Sequence, residues 1–433
     1  MRRLFLRMQI GELYKIYLQN NSVQTDTRKL KEGDLFFALK GDNFNGNHFA
    51  QKAIDAGAVY AIIDEKAFEI PGKTIFVNDV LKTLQELAKY HRLQFSIPFI
   101  AITGSNGKTT TKELIHAVLS SSFKTYTTEG NLNNHIGIPL TILKIRQDAE
   151  LAVIEMGANH LLEIAGYCQY TLPTHGLITN CGKAHLEGFG SIEGVKKGKG
   201  ELFDFLRENK GTAFVMWDYP YLRDMSYGIP EIKKYGTVET EINGNVLQNE
   251  PFLRVEISKG ANKLEIQSQL VGDYNLPNLL AAFAVGTYFG VADDNIKLAV
   301  ENYTPSNSRS QMLEKGTNKI ILDAYNANPS SMRPAIENFA RIKANKKVLI
   351  LGSMAELGNE SRHEHQQIID LIKKYKWDQV ALIGNDFSMI EHPYQKFDNP
   401  EQAKLWLSTQ DFKDTYILIK GSRSMKMEKV LDT

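Results

Sequence analysis

The chain has 433 residues, of which 42% are hydrophobic and 23% are charged, proportions typical of an ordinary globular protein. Its 51 basic and 50 acidic side chains leave a formal net charge of +1. That balance provides no overall field to attract nucleic acid or an anionic membrane surface, so any phosphate must be held by a local site. The length favours about three domains of roughly 150 residues each.

The cysteines and the apolar runs indicate the compartment. Cys168 and Cys181 form no CxxC pair, and free thiols are typical of a reducing cytosol. No apolar run approaches the ~20 residues of a membrane span. The apolar stretch at residues 4–6 is too short for the core of a secretory leader. We therefore expect a cytoplasmic protein that is not inserted in a membrane.

Residues 1–96 mix short strands with turns and end in an amphipathic helix. Residues 34–39 and 58–63 are predicted strands. The helix carries apolar residues at helical spacing, namely Leu81, Leu84, Leu87 and Ala88. The following Ser96-Ile97-Pro98 breaks the pattern and predicts a domain boundary.

The next region, 97–306, begins with a buried strand at residues 99–103 that leads into a glycine-rich turn and a helix. Further apolar strands are predicted at 151–154, 176–179 and 213–216. Helical stretches between them indicate a mostly parallel sheet. Alternating apolar residues on either side of a turn at residues 259–262 predict an antiparallel hairpin.

A stretch rich in Ser and Asn, residues 303–311, resembles a linker and precedes a second α/β region. Strands there alternate with helices and are predicted at 320–322, 348–351, 380–383 and 416–419. The chain is therefore predicted to be an α/β protein with three domains at 1–96, 97–306 and 307–433. They are a small α/β domain, a central P-loop mononucleotide-binding domain with a mostly parallel sheet, and a C-terminal Rossmann-like domain.

A phosphate-binding loop is predicted between the strand at 99–103 and the following helix. Glycines let backbone N–H groups turn toward an anion, and the helix N-terminus adds positive potential. Lys108 is expected to reach the β- and γ-phosphates, and the Thr109 hydroxyl to bind Mg²⁺. The spacing between the two glycines is tighter than in GxxxxGK[ST]. The loop residues are Gly104, Asn106, Gly107, Lys108, Thr109 and Thr110.

The nucleotide is expected to be ATP rather than GTP. Guanine-specific switches usually carry an NKxD motif. Two Asn-Lys pairs in the C-terminal region, at residues 318–319 and 345–346, both lack the Asp.

Three further positions are candidates for metal chemistry. Glu155 ends a predicted strand, where a carboxylate can meet a Mg²⁺ held by the loop. His185 taken alone is more typical of a structural histidine than of a metal ligand. Lys196, Lys197 and Lys199 follow it, and taken alone they are compatible with a solvated helix start.

Taken together, these stretches resemble the Mur ligases, ATP-dependent enzymes that build the cell-wall peptide on a UDP-sugar. The matching segments occur in family order from residue 103 to residue 429: TGSNGKTTTKE (103–113), EGNLNNHIGIPLT (129–141), VIEMGANH (153–160), HLEGFGS (185–191), KGKGELF (197–203), GDYNLPNLLAA (272–282), NSRSQ (307–311), DAYNANPSSM (323–332), LGSMAELG (351–358) and IKGSRSMKMEK (419–429).

Within the family, GANH, DAYNANP and MAELG are most similar to the member that adds a D-alanyl-D-alanine dipeptide. No DNPR-type loop of the member adding the third amino acid is found near the C-terminus. The resemblance implies ATP, D-Ala-D-Ala and UDP-MurNAc-tripeptide as substrates, two Mg²⁺ sites and a monomeric enzyme. The N-terminal part matches more loosely, and its expected UDP-sugar residues are Thr25, Asp26, Arg28, Lys40 and Asn45.

The resemblance also implies roles for individual residues. The first Mg²⁺ would be held by Thr109 and Glu155, and the second by Glu155, His185 and Lys199, the last as a carbamate. Lys108, His185 and Lys199 are the expected catalytic residues. The nucleotide would contact Asn275, Asn278, Arg309, Asp323 and Tyr325. The UDP-sugar peptide would meet Asn131, Asn133, Asn134 and His135, and the dipeptide would meet Asn326, Asn328, Ser330 and residues 354–358.

Two other functions share part of this pattern. Folate polyglutamylating ligases and the third-residue-adding Mur ligase have the same loop and metal residues but need another acceptor. A P-loop regulatory or transport ATPase would hydrolyse ATP under the control of a protein partner. The polar strand-end residues Asp323, Tyr325 and Asn326 of the C-terminal region favour a substrate site instead.

Overall fold

A computed structural model describes residues 9–20, 22–306 and 308–431. The apolar stretch at residues 4–6 and the predicted boundary residue 307 lie outside these ranges. The described chain forms two compact units. The first comprises the residues up to Ile102 together with Phe123–Ala158 and Leu162–Gly176, and the second comprises Thr103–Ser122, Asn159–Leu161 and the chain from Leu177 onward.

The N-terminal region is built from short strands and three helices. In chain order they are α1 (Ile10–Asn20), β1 (Val23–Gln24), β2 (Leu35–Phe37), β3 (Lys40–Gly41), β4 (Phe44–Asn45), α2 (Ala50–Asp55), β5 (Tyr60–Ile63), β6 (Thr74–Phe76) and α3 (Val80–Arg92).

The middle region alternates strands and helices before it ends in a strand meander and two helices. Its elements are β7 (Phe99–Thr103), α4 (Lys108–Ser120), β8 (Thr125–Thr127), α5 (Gly137–Leu143), β9 (Leu151–Glu155), α6 (Glu163–Thr171), β10 (His175–Ile178), α7 (Leu186–Phe189), α8 (Ile192–Glu208), β11 (Thr212–Met216), α9 (Pro220–Ser226), β12 (Glu231–Gly236), β13 (Ile242–Gln248), β14 (Arg254–Lys259), β15 (Asn262–Gln267), α10 (Leu276–Tyr288) and α11 (Asp293–Asn302).

The C-terminal region is a regular alternation of strands and helices. Its elements are β16 (Gln311–Lys315), β17 (Asn318–Asp323), α12 (Pro329–Arg341), β18 (Lys346–Gly352), α13 (Ser361–Ile372), β19 (Gln379–Ile383), α14 (Asn385–Ser388), β20 (Gln395–Phe397), α15 (Pro400–Ser408) and β21 (Thr415–Lys420).

The first unit contains a parallel sheet of order β1-β2-β5-β6 and a short antiparallel pair, β3 and β4. In the same unit β9 pairs in parallel with both β7 and β8. The buried residues of β7 and β9 include the apolar runs that predicted these two strands.

The second unit contains strands in the order β15-β14-β13-β12-β11. Pairing is parallel from β11 to β13 and antiparallel from β13 to β15. The last pair is the predicted hairpin, which is confirmed. The sequence analysis missed β13, because Asn243, Gly244 and Asn245 interrupt its apolar pattern.

The C-terminal sheet, also in the second unit, has the order β16-β17-β21-β18-β19-β20 and is parallel except for β16. Both faces are buried: Ile320 and Leu322 lie in one apolar core, and Ile321 lies in the other. Burial on both faces explains why such strands are apolar throughout rather than alternating.

The α/β class with sheets rich in parallel strands is confirmed. The structure divides into two compact units. The division into three domains remains a prediction. Within the described residues, no helix is both long and apolar enough to cross a membrane.

Candidate functional site

The loop between β7 and α4 has a backbone that only glycine fits at two places. Gly104 has φ of +143° and Gly107 has φ of +80°. A Cβ atom on Gly104 would lie 2.0 Å from Thr179 Oγ1, and one on Gly107 would lie 2.5 Å from Asn278 Oδ1. The two glycines therefore permit both the turn and the close approach of neighbouring chain segments.

The first turn of α4 carries a lysine and two threonines next to the loop. The helix begins at Lys108, whose ammonium donates to the carbonyl oxygens of Gly104 at 2.7 Å and Ser105 at 3.2 Å. Thr109 is buried, and Thr110 is half-buried. A helix N-terminus with a lysine and a hydroxyl is suited to binding a polyphosphate with its Mg²⁺.

The loop is supported by two residues after β10, and sequence reasoning missed both. Asn180 Oδ1 accepts from Asn106 N at 3.1 Å, and Asn180 Nδ2 donates to Asn106 O at 3.1 Å. Thr179 Oγ1 also donates to Asn106 O, at 2.6 Å. Their position at the carboxyl end of a predicted strand was the available signal.

Of the two predicted nucleotide residues at the start of α10, Asn278 lies against the phosphate-binding loop and Asn275 contacts Asn278. Asn278 Nδ2 donates to Asn275 Oδ1 at 2.8 Å, and Asn278 Oδ1 accepts from Thr111 Oγ1 at 3.1 Å. Both asparagines are buried. Their hydrogen bonds fix the start of α10 beside Gly107.

The predicted residues of the C-terminal region also lie together. The Arg309 guanidinium stacks 3.5 Å above the Tyr325 ring. Arg309 Nε is buried and lacks a hydrogen-bond partner among the described residues, so it can still donate to an anion. Arg423 also lies near Tyr325, with its guanidinium carbon 5.7 Å from the ring centre. It was not predicted as a site residue.

Asp323 at the end of β17 is held by a buried lysine that sequence reasoning missed. Lys420 Nζ donates to Asp323 Oδ2 at 2.5 Å and to the Asn326 carbonyl at 3.2 Å. Asp323 Oδ1 accepts from Ser310 N at 3.1 Å. Lys420 belongs to the segment 419–429, which was one of the segments that resemble the Mur ligases. No role was predicted for this lysine.

Helix α12 begins beside the phosphate-binding loop. Asn328 and Ser331 form a reciprocal capping box at its N-terminus. Asn328 Nδ2 also donates to Asn106 Oδ1 at 2.8 Å, and Asn106 Nδ2 donates to Asn328 Oδ1 at 3.3 Å. One predicted dipeptide residue is thus in contact with one predicted nucleotide residue. Asn326, by contrast, accepts the backbone N–H of Ala327 at 2.9 Å.

His185 lies against Glu356, with Nδ1 facing Oε2. The adjacent His185 side chain lowers the pKa of Glu356 below its ordinary value. Both residues have positive φ, +54° for His185 and +61° for Glu356, and such strained backbone clusters at functional sites. A carboxylate on one ring nitrogen is the usual arrangement around a metal-binding histidine, because it leaves the other nitrogen for the ion.

The three candidate lysines of α8 differ in how deeply their side chains are buried. Lys199 is fully buried, with Nζ 5.0 Å from the Phe189 ring centre. Lys196 is partly exposed and pairs with Glu193 at 2.6 Å, while Lys197 is exposed. Of the three candidate lysines, Lys199 is therefore the one whose side chain lies in the protein interior.

Glu155 is a buried carboxylate at the end of β9 in the first unit. Asn133 Nδ2 donates to its Oε1 at 2.7 Å, and its own N–H donates to Thr128 Oγ1 at 2.9 Å. No cluster of three or more His, Cys, Asp and Glu side chains suited to a metal occurs within the described ranges. A nucleotide-bound Mg²⁺ takes one or two protein carboxylates along with phosphate and water, and the Glu155 carboxylate is of the type that it prefers.

The loop before α5 carries the other predicted residues for the UDP-sugar peptide. Asn134 Oδ1 accepts from the N–H of Gly137, the first residue of α5, at 2.8 Å, and the His135 carbonyl accepts from Gln85 Nε2 at 3.1 Å. Asn131 is exposed. His135 also lines a cavity of about 550 Å³ between α3 and α6, together with Lys82, Gln85, Glu86, Lys89, Leu162, Glu163, Gly166, Tyr167, Gln169 and Tyr170.

The N-terminal candidates form two local clusters in the first unit. Arg28 donates two bonds to Asp26, at 2.9 and 2.8 Å, and lowers the pKa of Asp26 to about 2. Thr25 precedes this pair. Lys40 and Asn45 both contact Glu65, at 3.5 and 3.0 Å.

The fold and the site define a P-loop nucleotide-binding protein with a second, parallel α/β sheet. Three family descriptions match successive parts of the chain: the Mur ligase family catalytic domain over 20–95, the Mur ligase middle domain over 102–286, and the Mur ligase glutamate ligase domain over 308–423. The chain belongs to the Mur ligase family.

Two relatives align over nearly the whole chain, and both are named UDP-N-acetylmuramoyl-tripeptide--D-alanyl-D-alanine ligase. The protein of Escherichia coli (strain K12) is 36% identical, covering 97% of this chain and 95% of its own. That of Bacillus subtilis (strain 168) is 34% identical, covering 95% and 92%. The MurF ligase of Thermotoga maritima, solved in complex with ADP, has a TM-score of 0.86 at 28% identity and covers 96% and 97%.

Proposed function

We propose that this chain is the ATP-dependent ligase that joins D-alanyl-D-alanine to UDP-N-acetylmuramoyl-tripeptide, releasing ADP and phosphate. The observation that carries the proposal is the contact between the phosphate-binding loop and the predicted dipeptide segment, through the paired amides of Asn106 and Asn328. The two relatives named for this reaction support the same acceptor and donor.

The proposed reaction has two steps. The free carboxylate of the tripeptide attacks the γ-phosphorus of ATP, forming an acyl phosphate and releasing ADP. The amine of the dipeptide then attacks the acyl carbon, an amide forms, and phosphate leaves with the amine proton passing to a base or water. Lys108 and Arg309 would neutralise charge on the transferring phosphoryl group.

Asn275, Asn278, Asp323 and Tyr325 are the proposed contacts of adenine and ribose, within one unit that also contains Lys108. Thr25, Asp26, Arg28, Lys40, Asn45, Asn131, Asn133 and Asn134 are the proposed contacts of the UDP-sugar peptide. Asn326 and Asn328 are proposed for the dipeptide. The enzyme is proposed to act as a cytoplasmic monomer with domains at 1–96, 97–306 and 307–433.

Two Mg²⁺ ions are proposed, the first at Thr109 and Glu155 and the second at Glu155, His185 and Lys199. When bound, the ions would supply positive charge to the phosphate oxygens. The pairing of His185 Nδ1 with Glu356 supports the metal role, because it leaves Nε2 as the ring nitrogen that could bind an ion.

Lys199 is proposed to be carbamylated, which would turn a buried amine into an oxygen donor. Enriched ¹³C bicarbonate should give a carbamate carbon signal in the wild-type protein and none in Lys199→Ala. Lys196→Ala, altering the partly exposed lysine, is the matched control and should keep the signal. A signal that survives in Lys199→Ala would assign the modification elsewhere.

The test of function is phosphate release by the purified protein with Mg-ATP and UDP-MurNAc-tripeptide, with and without D-Ala-D-Ala. Phosphate release that requires both substrates, with the mass of the new pentapeptide, is the expected result. A product formed with glutamate or a diamino acid instead would favour another ligase of the family. ATP hydrolysis indifferent to UDP-sugar peptides would favour the partner-driven ATPase.

A further inference from the structure

The segment after β10, residues 179–185, which we call the bridging loop, is attached on two sides. Toward the phosphate-binding loop, Ser105 Oγ donates to the Gly182 carbonyl at 3.1 Å, and Gly182 N donates back to Ser105 Oγ at 2.9 Å. Asn180 holds Asn106 as described above. The bridging loop therefore follows the position of the phosphate-binding loop directly.

On its other side, Lys183 of the bridging loop makes two contacts with the C-terminal region, in addition to the His185–Glu356 contact. Lys183 N donates to Ser330 Oγ at 2.7 Å, and Lys183 Nζ lies 2.6 Å from Glu364 Oε1. A Cβ on the adjacent Gly182 would lie 2.6 Å from Ser330 Oγ, so the two segments are in close contact. Ser330 belongs to the first turn of α12, and Glu364 belongs to α13.

The ion pair is unequal in burial. The Glu364 side chain is 3% exposed, and that of Lys183 is 46% exposed. A buried carboxylate needs a partner charge, whereas a half-exposed lysine is well solvated without one. The ion pair therefore stabilises the position of α13 more than it stabilises the position of the bridging loop.

We propose that Lys183 and Glu364 are positioning residues whose ion pair links the nucleotide site to the segment that receives the dipeptide. The pair fixes the bridging loop between the phosphate-binding loop and α12–α13, so binding of ATP orders the dipeptide segment. Neither side chain contacts the reacting atoms. The inference rests on the proposed function and adds two residues that the family resemblance did not include.

The chemistry offers a readout that a purely structural role would not change. Attack on the acyl phosphate by the dipeptide amine gives an amide and phosphate. Attack by water gives back the carboxylate and also releases phosphate. Each route consumes one ATP, so the amide formed per phosphate released measures how well the dipeptide is held against water.

The experiment compares Glu364→Gln, Lys183→Met and the double variant in the full-length enzyme. We expect the amide-to-phosphate ratio to fall and KM for D-Ala-D-Ala to rise about tenfold, with KM for ATP within about twofold. The double variant should be no worse than either single variant, because both remove one interaction. Lys183→Arg should restore most of the ratio.

Glu401→Gln is the matched control, since Lys429 and Glu401 form a pair at 2.7 Å whose side chains are 45% and 57% exposed. It should leave the ratio and both KM values unchanged. An unchanged ratio and dipeptide KM in Glu364→Gln and Lys183→Met would overturn the proposal. So would single-variant effects that add in the double variant.

Hydrogen exchange tests the positioning role of Lys183 and Glu364 independently of the proposed ligase activity. In the wild-type protein a non-hydrolysable ATP analogue should slow exchange at the start of α13, residues 361–367, and this slowing should be lost in Glu364→Gln and Lys183→Met. Equal slowing in all three proteins would overturn the positioning role even if no amide product formed. Absence of amide product in the wild type alone would instead contradict the proposed function.

Discussion

The conformation of the phosphate-binding loop depends on contacts of single atoms. Gly107 allows this dependence to be tested by changing one residue. A methyl group there meets Asn278 at 2.5 Å and forces an L-residue to φ of +80°. Gly290 has φ of +81° but nothing within 4 Å of an added Cβ, so Gly290→Ala reproduces the backbone strain without the steric contact. Strain alone should destabilise each variant by about 1 kcal/mol.

We expect Gly107→Ala to weaken nucleotide binding at least about tenfold, while Gly290→Ala binds as the wild type does. Calorimetric titration with ATP and thermal unfolding of both variants would provide the comparison. Equal nucleotide affinity in the two variants would show that contact with Asn278 is not needed for the site.

A second prediction at this scale concerns Lys420. Its buried ammonium neutralises the carboxylate of Asp323. Lys420→Met should lower the free energy of unfolding by about 3 kcal/mol, since it leaves a mostly buried carboxylate without a cation. Adding Asp323→Asn should recover part of that loss but no activity, because Asp323 is the proposed ribose contact. Urea unfolding with steady-state assays would separate the two effects. Full stability of Lys420→Met would contradict the electrostatic role.

At the scale of elements, apolar periodicity and turn chemistry predicted much of what the structure contains. The strands β7 and β9 and the hairpin of β14 and β15 followed from such local patterns. The missed residues Asn180, Lys183 and Lys420 are polar groups whose partners lie far away in the chain. Asn180 and Asn106 are 74 positions apart, and Lys183 and Glu364 are 181 apart. A local pattern contains no information about such pairs.

Helix α13 carries a pH-sensitive contact with the loop after β18. His365 is buried, and its Nε2 accepts from Met354 N at 3.0 Å. Burial lowers the pKa of His365 below its ordinary 6.5, against the opposing effects of the Ser361 carbonyl, Asp386 and Glu364. The unfolded chain therefore binds a proton at a higher pH than the folded one does.

The free energy of unfolding should consequently decrease as the pH falls below about 6.5, until the folded histidine is also protonated. Protonation would also remove the acceptor for Met354 N. Urea unfolding of the wild type and His365→Gln at pH 7.5 and pH 5.5 measures the contribution. The variant should lose part of the pH dependence, and identical dependence in both proteins would exclude His365 as its source.

At the scale of the whole molecule, the proposed groups divide between the two compact units. The phosphate-binding loop belongs to the second unit, because α4 packs against α10 and α11. Glu155 and the proposed UDP-sugar residues belong to the first unit. Nucleotide binding alone should therefore act on one unit more than on the other.

We expect Mg-ATP to slow hydrogen exchange in residues 104–110, 179–185 and 323–331, and to leave 60–63 and 80–92 nearly unchanged. Binding to the folded state stabilises it by about 2.7 kcal/mol at a ligand concentration of 100 times Kd, and the protection should appear where the contacts are made. Gly107→Ala, which cannot bind nucleotide well, is the control and should show no such protection. Uniform slowing across both units would mean that the two unfold as one cooperative body, so that the nucleotide stabilises the UDP-sugar region without touching it.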